Sequence, residues 1–323
     1  MPNPDNSAWM SLLLGVPAAA GRETSPDEIP AIRAGLDLSV NNVDMPSMAE
    51  DHLGVVLWEG HGRSLTADVH VPPGDGPFPV LVYFHGGGFC IADAAAVRRP
   101  CLRLAAGAQF VVVNVNYALA PENPFPAAVE DAVYACRWAV RHAADYCGDP
   151  NLLFVAGDSA GANLASVCVH VFHGGITEID GRDLTEIGVR VSGALLYFGL
   201  FDLPMAVLEP GSNRGAVEVW WHQAYLGPNW LDHNQSPLVS PLRSPYLDRF
   251  PPTYLTVGSE DSLASQTLEM ARRLCAADVS TTVSVVADVD HAFHYVEQKI
   301  PELVTPEIER NIAWLRAVAR GAT

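Results

Sequence analysis

Leu152-Leu153-Phe154-Val155-Ala156-Gly157-Asp158-Ser159-Ala160-Gly161 is the stretch from which the fold of this 323-residue chain is read. Five apolar residues in succession predict a buried strand, and residues from about Ala160 to Phe172 then take on helical spacing. The turn between them, Gly157-Asp158-Ser159-Ala160-Gly161, fits Gly-x-Ser-x-Gly in the strand–turn–helix context that a nucleophile elbow requires. Small residues on either side let strand and helix approach closely. The serine oxygen is then exposed at a helix N-terminus, where partial positive charge favours a developing alkoxide. A chance glycine turn is the bland alternative, and the apolar strand in front of it favours the nucleophile.

Working outward, the text alternates strand and helix. Strands are expected at 79–84, 110–115, 194–198, 253–257 and 281–286. Helices are expected at 94–107, 126–144, 263–276 and 306–319. Continuously apolar strands separated by helices imply a mostly parallel central sheet covered by helices on both faces. Gly54–Trp58 and Ser64–Val71 read as a hairpin opening that sheet. Two stretches break the alternation, residues 1–50 and 199–237. Both are too long for plain connections, so a helical cap is expected, built from residues 1–50 and the 199–237 insertion over a core of residues 51–198 and 238–323.

A second signal, His85-Gly86-Gly87-Gly88-Phe89, follows another strand directly. Three glycines keep backbone N–H groups unobstructed and let a ligand approach closely. Such a loop can supply oxyanion donors, joined by the N–H of Ala160 after the nucleophile. A phosphate-binding loop is disfavoured, because Gly-Lys-Ser/Thr and Gly-x-Gly-x-x-Gly are absent. A serine nucleophile needs a base and an orienting carboxylate, in the chain order Ser, acid, His. Glu260 and Asp261 follow one late strand, and His291 and His294 follow another. Both loops fall at carboxyl ends of strands, where open α/β sheets bind ligands. His291 comes sooner after its strand and is the preferred base.

Hydrophobic residues make up 49% of the chain, which excludes intrinsic disorder. Acids outnumber bases 37 to 19, for a net charge of −18, and Lys299 is the only lysine. That field disfavours nucleic acid and anionic membrane surfaces as partners. No apolar run approaches the length of a membrane span. Trp9–Ala20 is short and apolar, but no Lys or Arg precedes it and Pro17 interrupts it, so it is not read as a signal peptide. The six cysteines (90, 101, 136, 147, 168, 275) show neither Cys-x-x-Cys spacing nor a Cys/His cluster, so reduced thiols in a cytoplasmic protein are expected. No metal and no cofactor are expected, since three-residue nucleophile chemistry needs neither.

Taken together, His85-Gly-Gly-Gly88 and Gly157-Asp158-Ser159-Ala160-Gly161 resemble the hormone-sensitive-lipase (bacterial type IV) family of α/β-hydrolase carboxylesterases. The stretch Tyr117 to Asp131, containing Ala-Leu-Ala-Pro-Glu, is similar to that family's Tyr-Arg-Leu-Ala-Pro-Glu segment, and Ser240-Pro241-Leu242 and His291-x-Phe293 also fit. The resemblance covers roughly residues 55–320. It implies Ser159 as nucleophile, Asp261 as triad acid, His291 as base, and the N–H groups of Gly87, Gly88 and Ala160 as the oxyanion hole. The reaction implied is ester hydrolysis through an acyl-enzyme; the irregular cap segments and the net charge of −18 point to soluble short- to medium-chain esters, with acyl chains of roughly two to eight carbons.

The chain departs from the family pattern in three places. Ser262 stands where proline is usual, Ala118 where arginine is usual, and Ala292 where glycine is usual. Trp220, Trp221 and Trp230 give the cap an aromatic density that suits a substrate wall or simple packing. The same triad could serve a lactonase, amidase or transacylase, and the same fold could serve a non-catalytic binding protein. Three intact triad residues favour the enzyme. A homodimer is compatible with exposed helices flanking an edge strand.

Overall fold

β-branched apolar runs build the sheet of this protein, for which a computed structural model describes residues 26–60, 62–174, 176, 178–179, 182–183, 189–203, 215–233 and 235–322. For residues 179, 182–183, 215–220, 231 and 322 the backbone alone is described. The strands are β1 (Glu50–Gly60), β2 (Arg63–Val71), β3 (Phe78–Phe84), β4 (Val111–Asn116), β5 (Gly148–Asp158), β6 (Val191–Tyr197), β7 (Thr253–Gly258) and β8 (Thr281–Val286). They form one eight-stranded sheet in the order β1-β2-β4-β3-β5-β6-β7-β8. β1, β2 and β4 pair antiparallel, and from β4 to β8 every neighbour is parallel, with Val82 opposite both Val113 and Val155.

Period-two alternation splits the apolar side chains between two faces. Val80, Val82 and Phe84 join the core beneath α3 (Ala127–His142), α4 (Ala160–Val169) and α6 (Ala264–Ala276). Leu81 and Tyr83 join the opposite core, beneath α2 (Arg98–Ala108) and α7 (Pro301–Ala322). The inner parallel strands are buried on both sides, which is why they read as apolar runs, whereas the edge strand β8 leaves Val283 and Val285 exposed.

The parallel run places the carboxyl ends of β3, β5, β7 and β8 along one edge. His85, Ser159, the Asp261 loop and the His291 loop leave from that edge. The expected elements form, with shifts at their ends. The first helix begins at Arg98, because Asp93 Oδ1 and the Asp93 carbonyl both accept the Ala96 N–H in a preceding turn. The last helix begins at Pro301 and runs through Pro306. The elbow helix continues as a π-turn over His170–Gly174. A two-residue hairpin, Glu178–Ile179 with Arg182–Asp183, was not foreseen. Of the expected cap, α1 (Ile29–Gly35) and α5 (Gly215–Leu226) are described. Residues 1–25 and 204–214 lie outside the described residues.

Candidate active site

β5 ends at Asp158 and α4 starts at Ala160, so Ser159 alone makes the turn. It takes φ +55° and ψ −115°, a region that side-chain-bearing residues avoid. Glycine is required at two neighbours. A Cβ on Gly161 would lie 1.9 Å from the Phe84 carbonyl oxygen, and one on Gly157 would lie 2.4 Å from the Gly161 carbonyl carbon. The close approach of strand and helix leaves Ser159 at the sheet edge, 9% exposed.

Of the two candidate histidines, the structure brings His291 to Ser159, with Nε2 at 3.1 Å from Oγ. Its Nδ1 lies 2.8 Å from Asp261 Oδ2. Neighbouring Glu260 points outward to solvent and accepts only from the Ser259 hydroxyl. His294 is buried beneath the site, 3.0 Å from the Tyr83 hydroxyl, and burial pushes it down to about 3, so it is held neutral. Asp261 is fixed despite the missing proline. Its Oδ1 accepts the Leu263 N–H at 2.8 Å, and its carbonyl accepts the Ala264 N–H at 3.0 Å. Ala292 takes φ +63°, the left-handed conformation for which glycine is usual, at a cost of roughly 1–2 kcal/mol.

The glycine loop turns sharply beside Ser159. Gly87, Gly88 and Phe89 all have positive φ, at +109°, +58° and +64°. The Gly87 carbonyl accepts the N–H groups of Cys90 and Ile91, both at 3.0 Å, so neither Gly87 nor Gly88 spends its own N–H in closing this turn. Tyr117 stacks on His85 at 4.3 Å and donates its hydroxyl to the His85 carbonyl at 2.8 Å. The arginine absent at Ala118 is replaced from elsewhere. Asp131 accepts the Ala118 N–H and binds Arg63 of β2 at 2.7 Å, so the segment after Tyr117 keeps its ionic anchor. Sequence reasoning missed Arg63, because nothing in its own strand marks it.

The cap leans on this loop. Trp221 of α5 lies over Gly88, where a Cβ would meet its ring at 1.8 Å. Tyr225, one turn on, stacks on Phe89 at 3.9 Å. Arg33 of α1 donates to the Cys90 and Ala120 carbonyls at 2.9 and 2.8 Å and grips Glu122 with both terminal nitrogens. Trp230 is buried against His222, 5.5 Å between rings. The Trp220 side chain lies outside the described residues. Among the described residues, no group of three or more His, Cys, Asp or Glu is placed to hold a metal ion.

This arrangement can pass a proton from a serine hydroxyl to an imidazole and hold a developing oxyanion. Comparison with known proteins bears on it directly. Residues 81–295 match the alpha/beta hydrolase fold family. Esterase LipI of Mycobacterium tuberculosis is 31% identical over 255 residues, which cover 77% of this chain and 76% of that protein. Carboxylic ester hydrolase LipN of the same organism is 29% identical over 83% of this chain and 70% of its own length. Among solved structures, a hyperthermophilic esterase from the archaeon Pyrobaculum calidifontis superposes with a TM-score of 0.78 at 25% identity, covering 99% of both chains.

Proposed function

This chain belongs to the alpha/beta hydrolase fold family, in its hormone-sensitive-lipase-like branch, and on that premise we propose that it is a serine carboxylesterase acting on soluble short- to medium-chain esters. One observation carries the reading: Ser159, His291 and Asp261 form a hydrogen-bonded series beside a turn of positive-φ glycines.

In the proposed mechanism Ser159 Oγ attacks the ester carbonyl carbon while His291 Nε2 takes its proton. The N–H groups of Gly87, Gly88 and Ala160 hold the resulting oxyanion. The bond to the alkoxide then breaks, and His291 returns the proton to the leaving alcohol. Water repeats the sequence on the acyl-enzyme, releasing the acid and restoring Ser159. Asp261 keeps the His291 Nδ1–H aimed at itself and Nε2 free to act.

Trp221, resting on Gly88, is assigned as the wall of the substrate pocket. Such a wall favours acyl groups of roughly two to eight carbons, since long chains need a continuous apolar channel. No described helix is long and apolar enough to cross a membrane. A cytoplasmic site of action belongs to the same proposal, supported by six cysteines that are all free thiols.

The test is a hydrolysis panel of aryl esters from acetate to palmitate, run beside lactones and amides, with wild type and Ser159→Ala. Soluble butyrate esters should be cleaved fastest, and Ser159→Ala should lose about three or more orders of magnitude in kcat. Retention of more than about a tenth of wild-type turnover by Ser159→Ala would end the mechanism.

A further inference from the structure

We propose that Asp158 is a positioning residue, the carboxylate that locks the oxyanion loop, the serine turn and the histidine loop together from beneath; this rests on the reading of Ser159 as nucleophile. Those segments leave three different strands, and nothing in the Ser159–His291–Asp261 series ties the glycine loop to the other two. Asp158 does. Its Oδ1 accepts the Tyr83 hydroxyl of β3 at 3.0 Å, and its Oδ2 accepts the Tyr295 hydroxyl, four residues past His291, at 3.1 Å. Gly86, at the entry to the oxyanion loop, packs directly against the same carboxylate. Contact there is so close that a Cβ on Gly86 would lie 2.3 Å from Asp158 Oδ2. His294 joins through Tyr83, its neutral Nε2–H donating to the tyrosine oxygen at 3.0 Å while its ring stacks on Tyr197 at 4.8 Å.

The chemistry calls for a carboxylate at this point. Two hydroxyl donors, one on each oxygen, converge on one buried side chain, 1% exposed. An ionised carboxylate accepts at about four lone-pair sites and donates at none. Burial pushes Asp158 up to about 7, against the pull of the same hydrogen bonds, so the anion is available near neutrality. An asparagine of the same shape would turn an NH2 toward at least one donor. The backbone of Asp158 is bonded to Ser159, so any shift of the network moves Oγ, the oxyanion N–H groups and the His291 loop relative to one another. Misplacement of about 1 Å costs on the order of a hundredfold in rate.

The full-length wild type is compared with Asp158→Asn and Tyr295→Phe. Three readouts are taken: kcat and KM on a soluble butyrate ester, the melting temperature, and the rate at which a fluorophosphonate labels Ser159, read by intact mass. In labelling, Oγ forms the O–P bond, fluoride leaves, and the serine proton passes to His291, so this readout needs no ester turnover. Asp158→Asn is expected to lower kcat and the labelling rate together by about a hundredfold, with KM within about threefold of wild type. Tyr295→Phe, missing one donor, should lower both by a smaller common factor. The proposal is overturned if Asp158→Asn labels and turns over like wild type, or if KM alone rises. Should Asp158→Asn fail to fold, an unchanged labelling rate in folded Tyr295→Phe overturns it equally. A wild type that labels at Ser159 but cleaves no ester would fail the esterase reading alone and leave the labelling comparison decisive.

Discussion

Ser159 at φ +55° costs on the order of 1–3 kcal/mol, and its surroundings must impose that conformation. The constraint is steric and local. Gly161 sits against the carbonyl oxygens of Phe84 and His85, so a methyl there meets backbone that cannot rotate away. Gly161→Ala should lower stability by about 2 kcal/mol or more, read as a shifted denaturation midpoint, and should also depress ester turnover. The same exchange at Gly321, where a Cβ meets nothing within 4 Å, should change stability by less than about 0.5 kcal/mol. Comparable losses at both positions would contradict the steric account. Gly-x-Ser-x-Gly was legible from sequence because each of its residues acts within one turn. Position in the chain did not separate Asp261 from Glu260, which share a loop and differ in side-chain direction; only the family resemblance pointed to Asp261.

At the scale of elements, the cap helix α5 presents two aromatic residues one turn apart to the oxyanion loop. Trp221 covers Gly88, and Tyr225 stacks on Phe89 with planes 5° apart. Trp230 instead packs on buried His222, so the tryptophans that read alike in sequence divide between the glycine loop and the cap interior. Trp221→Ala should change the ratio of kcat/KM between small and bulky alcohol esters by about tenfold, the size of one good aromatic contact. Trp230→Ala should lose about 3 kcal/mol of stability and reduce all esters by a common factor. Equal losses on every ester from both variants would assign Trp221 to cap packing as well. The cap stretches were recognisable as insertions because they break the strand–helix rhythm. Their contacts were not readable, since those join residues far apart in the chain, 57 positions from Arg33 to Cys90 and 87 from Arg33 to Ala120.

The whole molecule carries a net charge of −18 yet buries several neutral histidines. Burial pushes His85, His170 and His222 down to about 4 and His294 down to about 3, from an ordinary 6.5. As pH falls below about 6.5, the unfolded chain binds protons at these four positions that the folded chain refuses, and stability is lost. Asp158 works in the opposite direction. Its folded form holds a proton from about 7 downward while the unfolded form stays ionised to 3.8, so it adds stability over that window. His70 and His173 lean with the other histidines, and Asp131 leans with Asp158. Each net proton is worth about 1.4 kcal/mol per pH unit, so unfolding free energy should fall by several kcal/mol between pH 6.5 and roughly 5. Urea titrations at high salt, where surface repulsion is screened, would measure it. A midpoint independent of pH across that range would show that these imidazoles are not kept neutral by the fold.

Patterns with a period of two or three to four residues, and turns closed within five, are written in local sequence. They determined the strand–helix alternation, the serine turn, the glycine loop and the late loops holding the acid and the base. Partnerships across the sheet are of another kind. His291 meets Ser159 across 132 positions and Asp261 across 30, and both meetings depend on strand order bringing the ends of β5, β7 and β8 to one edge. Arg63 replacing the arginine absent at Ala118, Trp221 settling over Gly88, and the Tyr83 and Tyr295 hydroxyls converging on Asp158 were likewise decided only in the tertiary structure. The reason is physical: a hydrogen bond or ring contact requires ångström-level placement of two side chains. That placement comes from the packing of the whole sheet, and neither residue's neighbours in the chain encode it.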